Sequence, residues 1–301
     1  MPCDGAVRQF FQLMQRLAGA AAIGAVLVHQ ADAQQSPPPA SQSAADAAVG
    51  DNNGEDFTRP QTLFQLRNPF QTAPGSGSMP GTTRTVTSDT TVLRADYTFN
   101  ITPQWTVALR GDLPFVVKNA ITADDPAGGY VGGLGDADVQ AALIRTIDSR
   151  WATGAGLRVI APTGTNDLTA GTWRALPIVG ARYMLPEISE GSFFIGLVRY
   201  DVSFATAVPG SKNVSNLQFA PTLNINLPSH WFVTFYPSPD IRYNFGDPIT
   251  GQTGRLFLPA DLMVGKDITR NLTASLELSV PIVKDYPVYD FKTIVRLNTK
   301  F

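Results

Sequence analysis

The chain has 301 residues, of which 44% are hydrophobic and only 16% charged, with a formal net charge of −2. That balance gives no general attraction to nucleic acid, and the charged share lies below the roughly one quarter usual for soluble domains. Beyond the N-terminal region no apolar run reaches the ~20 residues of a membrane-spanning helix. A helical membrane protein is therefore excluded, whereas a barrel of alternating strands has this average composition.

Arg8 and Arg16 precede the apolar stretch Leu17–Val28, and Ala31-Asp32-Ala33 follows. A charged start, a short apolar segment and a small-x-small site predict a secretory signal peptide over 1–33. The run is too short to span a bilayer, and the polar sequence behind it argues against a buried core helix. The single cysteine, Cys3, falls within that segment. The exported chain then has neither a disulfide framework nor a thiolate metal site. Residues 34–59 are rich in Gln, Ser, Pro, Ala, Asp and Asn and include Pro37–Pro39. Such a segment buries too little apolar surface to fold alone and predicts a disordered periplasmic tail.

From residue 60 onward, strand-like segments alternate with breakers. Twelve are predicted: 60–70, 87–101, 105–117, 136–146, 151–160, 175–185, 192–204, 215–227, 231–245, 255–266, 271–282 and 288–301. The first is included because bacterial single-chain barrels have even strand numbers, and the lengths suit tilted strands crossing a bilayer. In the third, Trp105, Val107 and Leu109 oppose Thr106, Ala108, Arg110 and Asp112. In the eighth, Leu217, Phe219, Leu223, Ile225 and Leu227 oppose Gln218, Thr222, Asn224 and Asn226. In the eleventh, Leu272, Ala274, Leu276, Leu278, Val280 and Ile282 oppose Thr273, Ser275, Glu277 and Ser279. A period of two is a strand, although a soluble sandwich alternates as well.

The connections separate the two. Short turns at 102–104, 147–150, 186–191, 228–230 and 267–270 alternate with longer Gly-, Pro-, Thr-, Asp- and Asn-rich links at 71–86, 118–135, 161–174, 205–214 and 246–254. Only 283–287 is short for its class. Short periplasmic turns and long outer loops are the asymmetry of outer-membrane barrels. Trp105, Trp151 and Trp231 each begin a strand after a short turn, with Tyr97, Phe99 and Tyr183 near the same level, whereas Trp173 falls in a long link. Aromatic rings at one depth form an interfacial girdle.

The last segment places Tyr289, Phe291, Thr293, Val295, Leu297, Thr299 and Phe301 on one side, and Asp290, Lys292, Ile294, Arg296 and Lys300 on the other. A terminal aromatic on such a strand resembles the C-terminal signal of bacterial outer-membrane barrels, which makes Phe301 the candidate assembly signal. Because hydrocarbon leaves no open sheet edge tolerable, strand 288–301 is expected to pair with 60–70. The expected fold is all-β: a closed antiparallel transmembrane β-barrel of about twelve strands in an up-and-down meander, with both ends periplasmic. Its expected partners are outer-membrane lipid and the barrel-assembly machinery.

Alternation assigns the candidate lumen lining to Arg94, Asp96, Arg110, Asp112, Asp138, Arg158, Arg182, Arg199, Asp201, Asp240, Arg242, Asp261, Glu277, Asp290, Lys292 and Arg296. An Arg or Lys facing lipid at the midplane would cost about 2–4 kcal/mol, which fixes the inward face. These charges either pair to hold the barrel together or set solute selectivity, and the two roles are compatible. A hydrolase needs a His base beside Ser, or paired carboxylates. Of the two histidines, His29 lies in the signal and His230 in a short turn, so no catalytic residues are assigned. Asp124-Asp125 and the Asp136/Asp138 pair offer oxygen ligands for a hard cation but read better as loop solvation. The glycine-rich Gly128–Gly135 opens no helix and so builds no phosphate cradle. No metal or cofactor is assigned.

Leu134-Gly135-Asp136-Ala137-Asp138 opens one strand, Arg158-Val-Ile-Ala-Pro162-Thr163-Gly164 closes the next, and Ala175-Leu-Pro-Ile-Val-Gly180-Ala-Arg-Tyr183 follows. This pattern resembles the outer-membrane transporter family named for the meta-pathway of phenol degradation, over roughly 85–301. The resemblance implies a monomeric barrel moving small, often hydrophobic or aromatic solutes, and supplies no catalytic residues. A structural or adhesion barrel is the alternative, and an outer-membrane hydrolase the more distant one; conductance separates them.

Overall fold

The computed structural model describes residues 56–74, 85–120, 128–165, 168–249 and 251–301. The expected signal peptide, the tail up to residue 55, Asp124-Asp125 and parts of the expected links 71–86, 118–135, 161–174 and 246–254 lie outside the described residues.

Fourteen strand segments form one sheet: β1 (Leu63–Pro74), β2 (Thr85–Thr102), β3 (Trp105–Ala120), β4 (Gly129–Leu134), β5 (Asp138–Thr146), β6 (Trp151–Ile160), β7 (Thr172–Met184), β8 (Phe193–Thr206), β9 (Ser215–Leu227), β10 (Trp231–Phe235), β11 (Ile241–Asn244), β12 (Leu256–Asp267), β13 (Leu272–Lys284) and β14 (Phe291–Lys300). Two pairs of segments are halves of single traverses. Both β4 and β5 pair with β3, and both β10 and β11 lie between β9 and β12. The wall is therefore twelve traverses, each antiparallel to its neighbours. The ring closes where β1 meets β14 from Leu63↔Lys300 to Thr72↔Phe291. The expected closed up-and-down barrel of twelve strands is the observed fold, and its first strand, admitted on parity alone, is the one that seals it.

Closure satisfies the backbone, and side-chain alternation then sorts the two surfaces. On β13, Thr273, Ser275, Glu277 and Ser279 are buried while Leu276, Leu278 and Val280 are exposed. On β9, Gln218, Thr222 and Asn224 are buried while Leu217, Phe219 and Leu227 are exposed. A water-soluble sandwich hides its apolar face. Here that face points outward and the polar face inward, the arrangement that hydrocarbon demands of a spanning barrel.

The short-turn end carries the aromatic level. Trp151 packs 4.8 Å from Tyr183 between ring centroids. Arg145 lies over Trp105 at 5.5 Å and Lys266 over Trp231 at 5.1 Å, each from its in-register neighbour. Turn 147–150 is tied by Asp148, whose carboxylate accepts the N–H groups of Trp151 and Arg150 at 2.7 Å each. These donors, Trp151 first, hold its carboxyl below the usual carboxylate range.

The wall departs from the sequence pattern in four places. The link expected over 118–135 is partly strand, since Gly129–Leu134 pairs with Phe115–Ala120; glycines erase the alternation without preventing the ladder. The strand expected over 231–245 is interrupted at 236–240, because Pro237 and Pro239 have no N–H to give a ladder. Trp173 lies on β7 and faces Phe204 at 6.5 Å instead of standing in a link. Tyr289 precedes β14 and turns inward, 1% exposed, so the outward series begins only at Phe291.

Candidate functional site

The inner wall is a cross-strand lattice of charges. Because facing residues on neighbouring strands share a surface, the register itself sets the pairs. Arg94 faces Asp112 and Asp96 faces Arg110, and each guanidinium grips its carboxylate in a fork: 2.7 and 2.6 Å for Arg94–Asp112, 2.7 Å twice for Arg110–Asp96. Arg158 reaches Asp138 at 3.4 Å and the Gln140 amide oxygen at 3.2 Å. Arg174 reaches Asp201 at 2.8 Å, and Arg199 donates to Gln218 at 2.7 Å.

A second cluster surrounds the break between β10 and β11. The chain turns inward at Tyr236, which has a φ of 51°. Its N–H donates to the Asp261 carbonyl at 3.0 Å, and its carbonyl accepts from the Thr222 hydroxyl at 2.7 Å. Asp240, at the end of the break, pairs with Lys292 and with Arg242 at 3.1 Å. Lys292 also reaches Glu277 at 2.6 Å, and Arg296 pairs with the other Glu277 oxygen. The Tyr289 hydroxyl meets Asp240 at 3.1 Å and Ser279 at 2.7 Å. Asp240, Asp261 and Glu277 bring ligand-type oxygens within 4.8 Å of one another. That donor set suits a hard cation, but the Lys292 ammonium already bridges two of the three carboxylates, so the cluster is a charge-paired lock rather than an ion cage.

The third part of the site is the segment before β1. Asp56 and Thr58 are 1% and 3% exposed. One Asp56 oxygen accepts the Thr58 amide and hydroxyl at 2.9 and 2.6 Å, and the other accepts Arg59 at 2.8 Å and Arg182 of β7 at 3.1 Å. Phe57 packs beside Met184, Phe193, Ile195 and Leu197. Its seat is made of glycine: a Cβ at Gly180 would lie 2.8 Å from the ring, and one at Gly154 2.9 Å. Asp56–Arg59, the last residues of the segment expected as a tail, are fastened inside the wall.

Beyond this plug lies a cavity of about 360 Å³. Phe57 forms part of its lining, with residues of β1, β2, β3, β5, β6, β7, β8, β9, the 237–240 break and β14. Of the predicted inward residues, Arg94, Asp96, Arg110, Arg158, Arg199, Asp240, Lys292 and Arg296 border it. Asp112, Asp138, Asp201, Arg242, Asp261 and Glu277 stand on the same inner face in the pairs and cluster above, and Arg182 holds the plug. Asp290 does not join them: it pairs with Lys284 in a half-exposed contact. Sequence reasoning left out Arg67, although it alternates inward with Gln65 between Phe64 and Leu66. It also left out the plug, whose composition carries no periodic signal. His230 sits exposed in the short turn Pro228–His230. Asp136 and Asp138, read together from spacing, part company: Asp138 faces the lumen, while Asp136 accepts the amides of Gly164 at 3.0 Å and Ala170 at 2.8 Å.

With this geometry in place, the comparisons fall into order. The family described as "Putative MetA-pathway of phenol degradation" matches residues 67–236, more than half of the chain. Among solved structures, an outer-membrane channel from Pseudomonas putida F1 superposes with a TM-score of 0.62 at 17% identity, covering 80% of this chain and 96% of that one. The KdgM porin gives 0.43 at 9% identity, covering 79% and 99%. The translocator domain of the autotransporter NalP from Neisseria meningitidis gives 0.46 at 12%, covering 86% and 94%. No curated protein sequence matches the chain.

Proposed function

The chain belongs to the family named for the MetA pathway of phenol degradation, and from that premise we propose that it is an outer-membrane channel for small solutes. One observation carries the proposal: a closed ring with an apolar exterior encloses a charged lumen that retains a cavity of about 360 Å³ beside its plug. Barrels of about eight strands fill themselves with side chains, and those of 16–18 leave open channels. Twelve traverses with a seated N-terminal segment give a narrow route suited to a small solute. The paired lumen charges hold the wall while presenting a polar lining to the solute.

The same reading includes export by a signal peptide cleaved after Ala33, a monomeric barrel in outer-membrane lipid, and insertion by the barrel-assembly machinery. Phe301, 84% exposed at the short-turn end, is the handle for that machinery; Phe301→Ala should lower the fraction of folded barrel in outer-membrane fractions, and unchanged insertion would remove the assignment. The functional test is conductance. Purified protein in a planar bilayer should give discrete current steps, with larger ones for Phe57→Ala, whose ring occupies the glycine seat. No conductance and no solute uptake into liposomes would leave a structural barrel, and release of fatty acid from phospholipid would make it a hydrolase.

A further inference from the structure

We infer that the lumen cavity is a binding site for a small amphipathic monocarboxylate, a compact apolar body carrying one anionic head; this names the solute class of the channel proposed above and rests on that reading. The argument begins with which charges lack counterparts. Among the described residues every arginine and lysine that lines the cavity has a carboxylate partner except two, Arg67 and Arg199. Among the described residues the Arg67 side chain has no carboxylate partner, and its Nε is buried without an acceptor. Among the described residues Arg199 donates to the neutral Gln218 amide and to no carboxylate. The two sit on β1 and β8, half-way round the ring from each other, and both line the one cavity.

Burying an unpaired guanidinium is costly, and its planar fork is matched to a carboxylate. The lining of the cavity supplies no carboxylate that is outside an ion pair. The two carboxylates that line it, Asp96 and Asp240, are both spent in ion pairs. Asp261, the lumen acid outside any ion pair among the described residues, belongs to the cluster at the strand break and does not line the cavity. The rest of the wall mixes the neutral polar side chains Gln65, Gln140, Thr222 and Ser238 with an apolar part that includes Phe57, Leu63, Ile178, Ile195, Leu197 and Ile294. An anionic head between two guanidiniums and a compact body against these side chains use both features. A cation would meet the unpaired arginines, and a neutral hydrocarbon would leave them without a counter-charge. The volume is at the lower end of small-molecule sites, which sets the size of the body at about one ring.

The test uses full-length processed protein in detergent, titrated calorimetrically with benzoate, its neutral isostere benzamide, and benzylammonium. Benzoate should bind saturably, at least tenfold more tightly than benzamide, with no binding of benzylammonium. Arg67→Gln and Arg199→Gln should each weaken benzoate about tenfold and leave benzamide unchanged. Neither residue belongs to an ion pair, so both variants should retain the heat-modifiable mobility of a folded barrel. Should either fail to fold, Arg67→Lys and Arg199→Lys keep the charge but lose the planar fork, and should weaken benzoate by less than the Gln variants' tenfold while leaving benzamide unchanged. Equal binding of benzoate and benzamide, or variants that bind benzoate like the parent, overturns the site. Conductance measured in parallel separates the two claims: current steps without benzoate selectivity remove the site and leave the channel, and benzoate binding without current removes the channel and leaves the site.

Discussion

The fourth traverse breaks at Gly135-Asp136-Ala137 and the ninth at Tyr236–Asp240, and the two breaks are repaired by different chemistry. At the first, the freed backbone groups and the adjoining link satisfy one another. The Gly135 N–H donates to the Pro114 carbonyl at 2.9 Å. The Thr163 hydroxyl accepts from the Ala137 N–H at 2.9 Å and donates to the Gly135 carbonyl at 3.2 Å. The Asp136 carboxylate gathers two link amides, from Gly164 and Ala170. At the second, two prolines offer no N–H, and the repair is ionic: Asp240, Glu277, Lys292, Arg242 and Arg296 close over the inward bend. The first break lies toward the long links and the second in mid-traverse, where a backbone group facing hydrocarbon has no water to turn to. The deeper interruption therefore draws the stronger interactions.

Two substitutions sharpen this contrast. The largest effect belongs to Glu277→Ala, which leaves Lys292 and Arg296 short of a carboxylate in a site where Glu277 is fully buried. Breaking a buried pair from one side costs about 3–5 kcal/mol. The expected result is a lower denaturant midpoint for loss of the heat-modifiable barrel, and an unchanged midpoint would mean that the ninth traverse does not rest on its charges. A smaller effect is expected of Asp136→Ala. It removes an acceptor from two amides, worth about 1–3 kcal/mol where the donors stay buried, and the loss should be local. Limited proteolysis should cut faster within 161–170 while the global midpoint stays within error of the parent. A fall in midpoint as large as that of Glu277→Ala would erase the distinction between the two breaks.

Most of the barrel was legible because period-two alternation and turn-length parity are both local in sequence. All twelve predicted segments overlap an observed traverse, and inward assignments such as Arg94, Asp112 and Glu277 follow from parity once one residue of a strand is placed. What escaped was non-periodic. Asp56–Arg59 reads as polar tail because its partners, Arg182 and the glycine seat at 154 and 180, are more than ninety residues away. The 129–134 strand is hidden by its glycines. The 236–240 bend falls between two short runs that alternate in the same phase, so 231–245 reads as continuous although its prolines were visible. The Leu134–Asp138 and Pro162–Gly164 motifs, two parts of the one family resemblance, prove to be two sides of one repaired break.

The central claim is that the chain closes on itself between β1 and β14 around a polar lumen, and a cross-link across that seam tests it most directly. Phe64 and Thr299 are register partners on the outward face. Antiparallel partners have Cα separations of about 4.5–5.5 Å, within the range a disulfide spans. In a Cys3→Ser background, the Phe64→Cys/Thr299→Cys pair should oxidise readily in the folded barrel and shift its denatured electrophoretic mobility. The diagonal pair Phe64→Cys/Leu297→Cys should remain reduced. Free thiols in the first pair, with the protein folded in the membrane, would contradict the closed ring.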